Sequence, residues 1–417
     1  MNKSWILYKR PSGYPKSEDF KLVESELPEL LEGEILIESK FLSLDPYMRG
    51  RMNDTKSYAP SIKLGDVMTG EAVGKVIKSR NRKIKEGYFV NAHIGWQEYG
   101  KTDGNSVRII DPNLAPISTA LGVLGMPGLT AYFGLLNICK PLPGDTVVVS
   151  AASGAVGGIV GQIAKIMGCK VIGIAGSEQK IDYCSSELNF DYVINYKKEN
   201  VINKILEYAP EGVDVYFDNV GGEISDAVIS NIAIGGRIAI CGQISLYNLE
   251  EASMGPRMGG TLLINQASMQ GFLVFQFKSQ YQDGLIRLSD WVRKGSLKYK
   301  EDIIDGILSG EDYMISKEDS EKGTWYFALS IMGYFIQEKS LLLFKARILP
   351  NDNTFCLRNI KGDNFNNIFI GECITVDSHN RGWGEKTCFI GYTSDTPIMG
   401  FQFTVEGVDV TGAGGGA

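Results

Sequence analysis

The chain has 417 residues, 44% of them hydrophobic and 22% charged, a balance that excludes fibrous, low-complexity and intrinsically disordered classes and suits two or three globular domains. Forty-two Lys+Arg against forty-nine Asp+Glu give a formal net charge of -7, so no bulk positive field draws the chain to nucleic acid or to an anionic membrane surface. Seven cysteines with no C-x2-C pair point to reduced thiols and a cytoplasmic setting, and the first twenty residues lack the apolar stretch of a signal peptide.

Taken in order, residues 1–120 read as short β-like runs (EILIESKFLSL, EAVGKVIKS, YFVNAHI) broken by Gly, Pro, Asp and Asn. From 121 to 306 strand and helix alternate. TVVVSA, KVIGIAG, YVINY, VDVYFDNV and RIAICG are β-branched runs of the buried parallel type, separated by the amphipathic stretches GGIVGQIAKIMG and QKIDYCSSEL. This predicts an α/β class with a doubly wound parallel sheet. Residues 307–410 read as a β-rich region of unassigned fold, from WYFALSIMGYF through SLLLFKARILP to GFQFTVEGVDV, and 411–417 (TGAGGGA) as a mobile tail or cloning remnant. The longest apolar run, at 325–336, is too short to span a bilayer and reads as core.

The strongest local signal is VVVSAASGAVGGIVGQ, where a buried strand runs into Gly154, Gly157 and Gly158 and then a helix. Glycines there permit a tight turn and close approach of backbone N–H groups to a pyrophosphate, against the plainer reading of a structural βα turn. The second strand ends Ile174-Ala175-Gly176-Ser177 with Lys180 close by, and has no carboxylate at its tip to bind a ribose diol. Ser177 and Lys180 suit a 2′-phosphate, so NADP(H) is favoured over NAD(H). Two features temper this: Glu178 sits beside them, and Lys180 could be one more solvated helix-start lysine. His93 and His379 are the whole histidine complement, and no Cys cluster has zinc-site spacing. His93 reads as structural.

Seven segments in order carry a resemblance: SLDPYMRGRM at 43–52, LGMPGLTAYFGLL at 124–136, AASGAVGG at 151–158, GSEQK at 176–180, NYK at 195–197, YFDNVGGE at 216–223 and CGQISLYN at 241–248. Over roughly its first 306 residues the chain resembles the zinc-independent medium-chain dehydrogenase/reductases of the prostaglandin reductase and 2-alkenal reductase group. The resemblance implies a GroES-like catalytic domain followed by a Rossmann domain, and commonly a homodimer. By position it places Gly154, Ala155, Val156 and Gly157 at the pyrophosphate, Lys180 and Tyr196 at the 2′-phosphate, and Asn219 near the nicotinamide half. It also places Cys241, Gly242, Ile244, Tyr247 and the segment Phe272, Leu273, Val274 along the nicotinamide side. Tyr196 could instead cap a strand edge, and Cys241 reads more simply as a small buried hydrophobe than as a reactive thiol.

The implied reaction is hydride transfer from NADPH to the β-carbon of an α,β-unsaturated aldehyde or ketone, with protonation of the resulting enolate. Tyr247 is the candidate polarising phenol, or a core tyrosine with a satisfied hydroxyl. Tyr47 is the second candidate, as a substrate wall, and Arg49 is either a substrate contact or, more simply, one half of a domain-internal ion pair. After 306 the family's closing segment is not recognisable, and LSGEDYMISK at 308–317 is at best a faint echo. The run at 340–349 could take over a vacated strand position in the first domain. Two alternatives stand beside the reductase reading: a catalytically silent NADPH-binding protein whose C-terminal region binds a partner, and a quinone reductase that differs only in acceptor.

Overall fold

The structure, a computed structural model, describes residues 1–303 and, beyond them, six β-strands between 345 and 412. The chain divides into two compact units, Met1–Gly333 and Tyr334–Ala417.

The first unit begins with an antiparallel hairpin, β1 (Asn2–Leu7) on β2 (Phe20–Ser25). It continues with β3 (Ile35–Leu42), the short helix α1 (Tyr47–Arg51), β4 (Glu71–Ser79), β5 (Phe89–His93), β6 (Tyr99–Thr102) and β7 (Arg108–Ile110). These strands form a five-stranded antiparallel sheet in the order β6-β3-β4-β5-β7. Ile35, Ile37, Ala72, Val76, Val90 and Ala92 fill one cluster of its core. A second cluster, Leu7, Met48, Met52, Met68 and Trp96, lies under α1 and fixes that helix to the sheet.

After α2 (Met126–Phe133), chain order runs β8 (Thr146–Ser150), α3 (Gly157–Ile166), β9 (Lys170–Ala175), α4 (Glu178–Asp182), β10 (Tyr192–Asn195), α5 (Val201–Tyr208), β11 (Val213–Asp218), α6 (Gly222–Ile229), β12 (Ile232–Ile240), α7 (Gly259–Ile264), β13 (Ser268–Gly271) and α8 (Tyr281–Arg293). The strands pair in parallel in the order β10-β9-β8-β11-β12-β13, so the winding reverses between β8 and β11. In such a sheet the ligand crevice opens where the winding reverses, beyond the carboxyl ends of the strands. Strand periodicity splits the core. Val147, Val149, Val215 and Phe217 face the cluster holding Phe133, Ile163 and Trp291, while Val148, Ile172, Ile174 and Tyr216 face Ile205 and Val228. Because both faces are covered, the strands carry continuous apolar runs.

The glycines around α3 are required by close approach. A Cβ on Gly157 would lie 2.3 Å from the Ala151 carbonyl oxygen, and one on Gly161 would enter the Phe190 ring. Gly168, at φ +82°, ends the helix turn as Cys169 N–H bonds back to Ala164 O.

In the second unit, β14 (Lys345–Arg347), β15 (Cys356–Gly362), β16 (Asn367–Val376), β17 (Glu385–Thr393), β18 (Phe401–Glu406) and β19 (Asp409–Gly412) form a four-stranded sheet, β16-β17-β14-β19, and a pair, β15-β18. Strand β14, from the run at 340–349, pairs antiparallel with β17 and β19, so the expectation that it replaces a strand of the first domain fails for these residues. Strand β19 takes in Thr411 and Gly412, the first residues of the expected tail. The segments at 308–317 and 325–336 lie outside the described residues.

Gly157→Ala is expected to lower unfolding stability by about 1–3 kcal/mol, because its Cβ meets backbone rather than a movable side chain. Gly259→Ala, with nothing within 4 Å of the added atom, serves as the control in the same urea titration.

Candidate active site

The crevice is organised by a carboxylate that sequence reasoning passed over. Asp218 closes β11 fully buried. Its Oδ1 accepts from the Tyr216 hydroxyl (2.8 Å), the Ser150 hydroxyl (3.2 Å) and the N–H groups of Val220 and Gly221 (3.0 Å each), and its Oδ2 accepts from the Ser225 hydroxyl (2.8 Å). Ser150 Oγ in turn accepts the Asn219 N–H, and the Asn219 side-chain amide donates to Ser150 O at 2.8 Å. The ends of β8 and β11 are thereby tied together, and Asn219 is held at the point where they part. The Asp218 carbonyl accepts the N–H of Cys241 (2.8 Å) and of Gly242 (3.1 Å), which fixes the start of the next loop.

Ala151 follows β8 with a left-handed φ of +52°, turning the chain so that Ala155, Val156 and Gly157 arrive at the α3 N-terminus. Gly158 N–H bonds to Gly154 O, and Ile159 and Val160 N–H both bond to Val156 O, so the turn at 154–156 is wound into the start of α3 and its N-terminal end faces the carboxyl edge of the sheet. Such an end attracts anions.

At the tip of β9, Gly176 has no side chain because a Cβ would touch the Tyr196 ring at 2.7 Å. Ser177 caps α4 by accepting Lys180 N–H. Burial lowers the pKa of the Lys180 ammonium, and the neighbouring charge of Lys197 lowers it further. Lys197 was not singled out from the sequence, although it follows Tyr196 directly in NYK. Two ammonium groups set within each other's field suit a dianionic phosphate. Glu178 does not oppose this: it pairs with Lys198 at 2.8 Å and accepts from Asn195 at 3.0 Å, and its pKa is lowered by these contacts, Lys198 first.

The loop after β12 carries Tyr247. Its hydroxyl accepts the Gln243 N–H at 3.2 Å and lies against Gly242, whose added Cβ would be 3.3 Å away. Burial raises the pKa of this phenol above its ordinary value, so it remains a donor at neutral pH. Cys241 is half-buried, and its thiol is pushed up to about 12 by burial and then by Asp218, which keeps it protonated and unreactive. Phe272 and Val274 send their side chains into the core, Phe272 edge-on to Phe217 at 6.0 Å, and Leu273 alternates away from them.

Across the crevice, Tyr47 opens α1, and its hydroxyl is buried without a hydrogen-bond partner. Its pKa is raised by burial and then by Asp45. Asp45, itself buried beneath it, is pushed up to about 7 by desolvation. A buried phenol without a partner is expensive unless a ligand completes it. Tyr58 meets Phe275 from the other half in a tilted contact, ring centres 5.8 Å apart, with Arg51 4.6 Å from the Tyr58 ring centre. His93 bonds Thr69 Oγ1 at 2.6 Å at the end of β5. Among the described residues, no three His, Cys, Asp or Glu side chains gather to hold a metal, and no helix is long and apolar enough to cross a membrane.

A cavity of about 350 Å3 opens between the two halves, lined from one side by Tyr14, Pro46 and Arg49 and from the other by Tyr196, Val220–Ile224 and Ile244–Leu249. It brings Tyr196, Ile244 and Tyr247 together. Arg49 forms no ion pair among the described residues, contrary to expectation; its donors go to neutral oxygens of both halves.

Comparison with known proteins accords with this geometry. Residues 3–110 match the family described as the N-terminal domain of oxidoreductase, and 155–291 the family described as zinc-binding dehydrogenase. Prostaglandin reductase 1 of Oryctolagus cuniculus is 44% identical over 336 residues, covering 77% of this chain and 94% of that protein. The chain belongs to the zinc-independent medium-chain dehydrogenase/reductases. Its first unit combines the GroES-like and Rossmann folds of that family. The NADP+-dependent 2-alkenal reductase of Nicotiana tabacum is 40% identical, with 75% and 93% of the two chains covered. The crystal structure of CurA from Vibrio vulnificus in complex with NADPH is 42% identical, with a TM-score of 0.70 over 72% of this chain and 91% of that one.

Lys180→Ala is expected to weaken NADPH binding about 10- to 100-fold, the loss of a charge-assisted contact, while NADH binding moves less than about threefold. Quenching titrations with both nucleotides check this, and equal losses for the two would place the 2′-phosphate elsewhere.

Proposed function

We propose that this medium-chain reductase uses NADP(H) to reduce the carbon–carbon double bond of α,β-unsaturated aldehydes and ketones of the alkenal, enone and 15-oxoprostaglandin type. The observation that carries the reading is Tyr247: a phenol kept protonated by burial, anchored by the Gln243 N–H, and facing the cavity between the two halves. NADPH, when bound, supplies the hydride. The α3 N-terminus is placed to hold its pyrophosphate, with Ser177, Lys180, Lys197 and Tyr196 at the 2′-phosphate and Asn219, Gly242 and Ile244 toward the nicotinamide. Tyr247 donates toward the carbonyl oxygen as negative charge builds there, directly or through a ribose hydroxyl. Tyr47, next to the cavity-lining Pro46 at the start of α1, is our candidate for the opposite wall, its buried hydroxyl having no partner among the described residues.

We further infer a cytoplasmic homodimer with no nucleic-acid or membrane partner. Strand β13 ends the six-stranded sheet with all four residues exposed. Close to it Ile234, Leu263 and Ile264 are each at least three-quarters exposed, on segments joined by the Gly235 N–H to Asn265 O bond. Sheet-edge pairing between copies would cover this apolar surface. Sedimentation should find a dimer that Leu263→Glu with Ile264→Glu converts to monomer; a monomeric wild type would refute the dimer.

NADPH oxidation at 340 nm with a medium-chain 2-alkenal tests the activity. Tyr247→Phe is expected to lower kcat about 10- to 100-fold, in the range of a lost oxyanion donor, with NADPH affinity little changed. Because burial raises the pKa of this phenol, the alkaline loss of wild-type kcat should come at higher pH than the titration of a free tyrosine would give. Firm NADPH binding with no turnover on any enal, enone or quinone would leave a catalytically silent binder.

A further inference from the structure

Arg49 is 4% exposed, a charge taken almost wholly out of water, and its hydrogen bonds span the two halves of the first unit. Nε donates to Asn248 Oδ1 at 2.9 Å, one terminal nitrogen to Asn53 Oδ1 at 2.5 Å, and the other to Gly13 O at 2.8 Å. The acceptors lie on α1's own extension, on the 11–14 loop and on the residue after Tyr247. A second bond reinforces the seam where Ser12 Oγ donates to Glu250 at 2.6 Å. Desolvation lowers the pKa of the guanidinium, and Asp19 raises it from a distance without an ion pair. A buried cation held by neutral oxygens is costly, and a lysine in its place could not address three acceptors in one plane.

We propose that Arg49 is a positioning residue for the reductase reaction: through Asn248 it fixes the turn that carries Tyr247 against the helix that carries Tyr47. The two tyrosines come from different halves, so their separation depends on contacts across the seam. Arg49 and Asn248 line the same cavity as Tyr247 and are placed to set that separation. A small misplacement there costs turnover rather than cofactor affinity, because the phosphate-binding groups all lie on one side. The inference rests on the reductase reading above.

The test is steady-state kinetics with NADPH and a 2-alkenal on Asn248→Ala, Asn248→Asp and Arg49→Lys, each also in the Tyr247→Phe background, with NADPH titration and thermal melting alongside. Asn248→Ala should lose about tenfold in kcat, as for a lost hydrogen bond to a charged group, with NADPH affinity within about twofold. Asn248→Asp, which keeps the acceptor, should restore most of the loss. Arg49→Lys should lose turnover too, adding little to Asn248→Ala and little in Tyr247→Phe. Unchanged kcat in Asn248→Ala, no rescue by Asp, or losses that multiply in Tyr247→Phe would each overturn the proposal. If Tyr247→Phe alone keeps full turnover, the donor role of Tyr247 falls and this proposal with it, while wild-type turnover of the 2-alkenal keeps the reductase reading.

Discussion

Everything at the crevice hangs on the carboxylate of Asp218. A fully buried carboxylate is tolerable only with its lone pairs occupied, and here three hydroxyls and two backbone N–H groups converge on it. Those donors come from the end of β8, from β11 itself, from the turn after it and from α6. The one group therefore sets where the sheet parts and where its loops depart. Asn219 follows directly on this knot, and the Cys241–Gly242 loop hangs from the Asp218 carbonyl, so the ligand-facing residues inherit the rigidity of the core.

Around that fixed centre the two halves divide the chemistry. The parallel sheet offers the N-terminal end of α3, Lys180 in α4 after β9 and Lys197 after β10, and a phenol on the loop after β12. The antiparallel domain offers one short helix, with Met48 and Met52 anchored in its core, Tyr47 packed beside them with its hydroxyl buried, and Arg49 lining the cavity. Burial acts oppositely on the two kinds of group there. It keeps Tyr247 and Tyr47 protonated as donors, and it destabilises the ammonium of Lys180 until an anion is present. The site is thus poised for a ligand that is anionic at one end and a hydrogen-bond acceptor at the other.

The sheet of the Rossmann half was legible because its strands are buried on both faces: TVVVS and VDVYFD carry the same apolar signature in sequence as in space. The glycines before α3 were legible for a similarly local reason, since a strand-to-helix turn in a few residues leaves no room for Cβ atoms. Lys197 and Asp218 were less so, because a lysine beside a tyrosine and an aspartate at a strand end look like solvated residues until their neighbours are known. Arg49 misled in the opposite direction. Arginine in a polar motif suggests an ion pair, yet its partners are two asparagine side-chain oxygens and a backbone carbonyl, neutral acceptors of which one lies 199 residues away and gives no local signal.

Sequence alone determined the parallel sheet, the tight turn into α3, the bias toward a 2′-phosphate and the family, because periodicity, glycine sterics and motif order are local properties. Only the tertiary structure decided that Glu178 is neutralised by Lys198, that Phe272 and Val274 belong to the core, that β14 pairs within the second unit, and that Arg49 reaches across to Asn248. Those are contacts between residues distant in sequence, and the free energy of a buried charge or ring is set by what surrounds it in space.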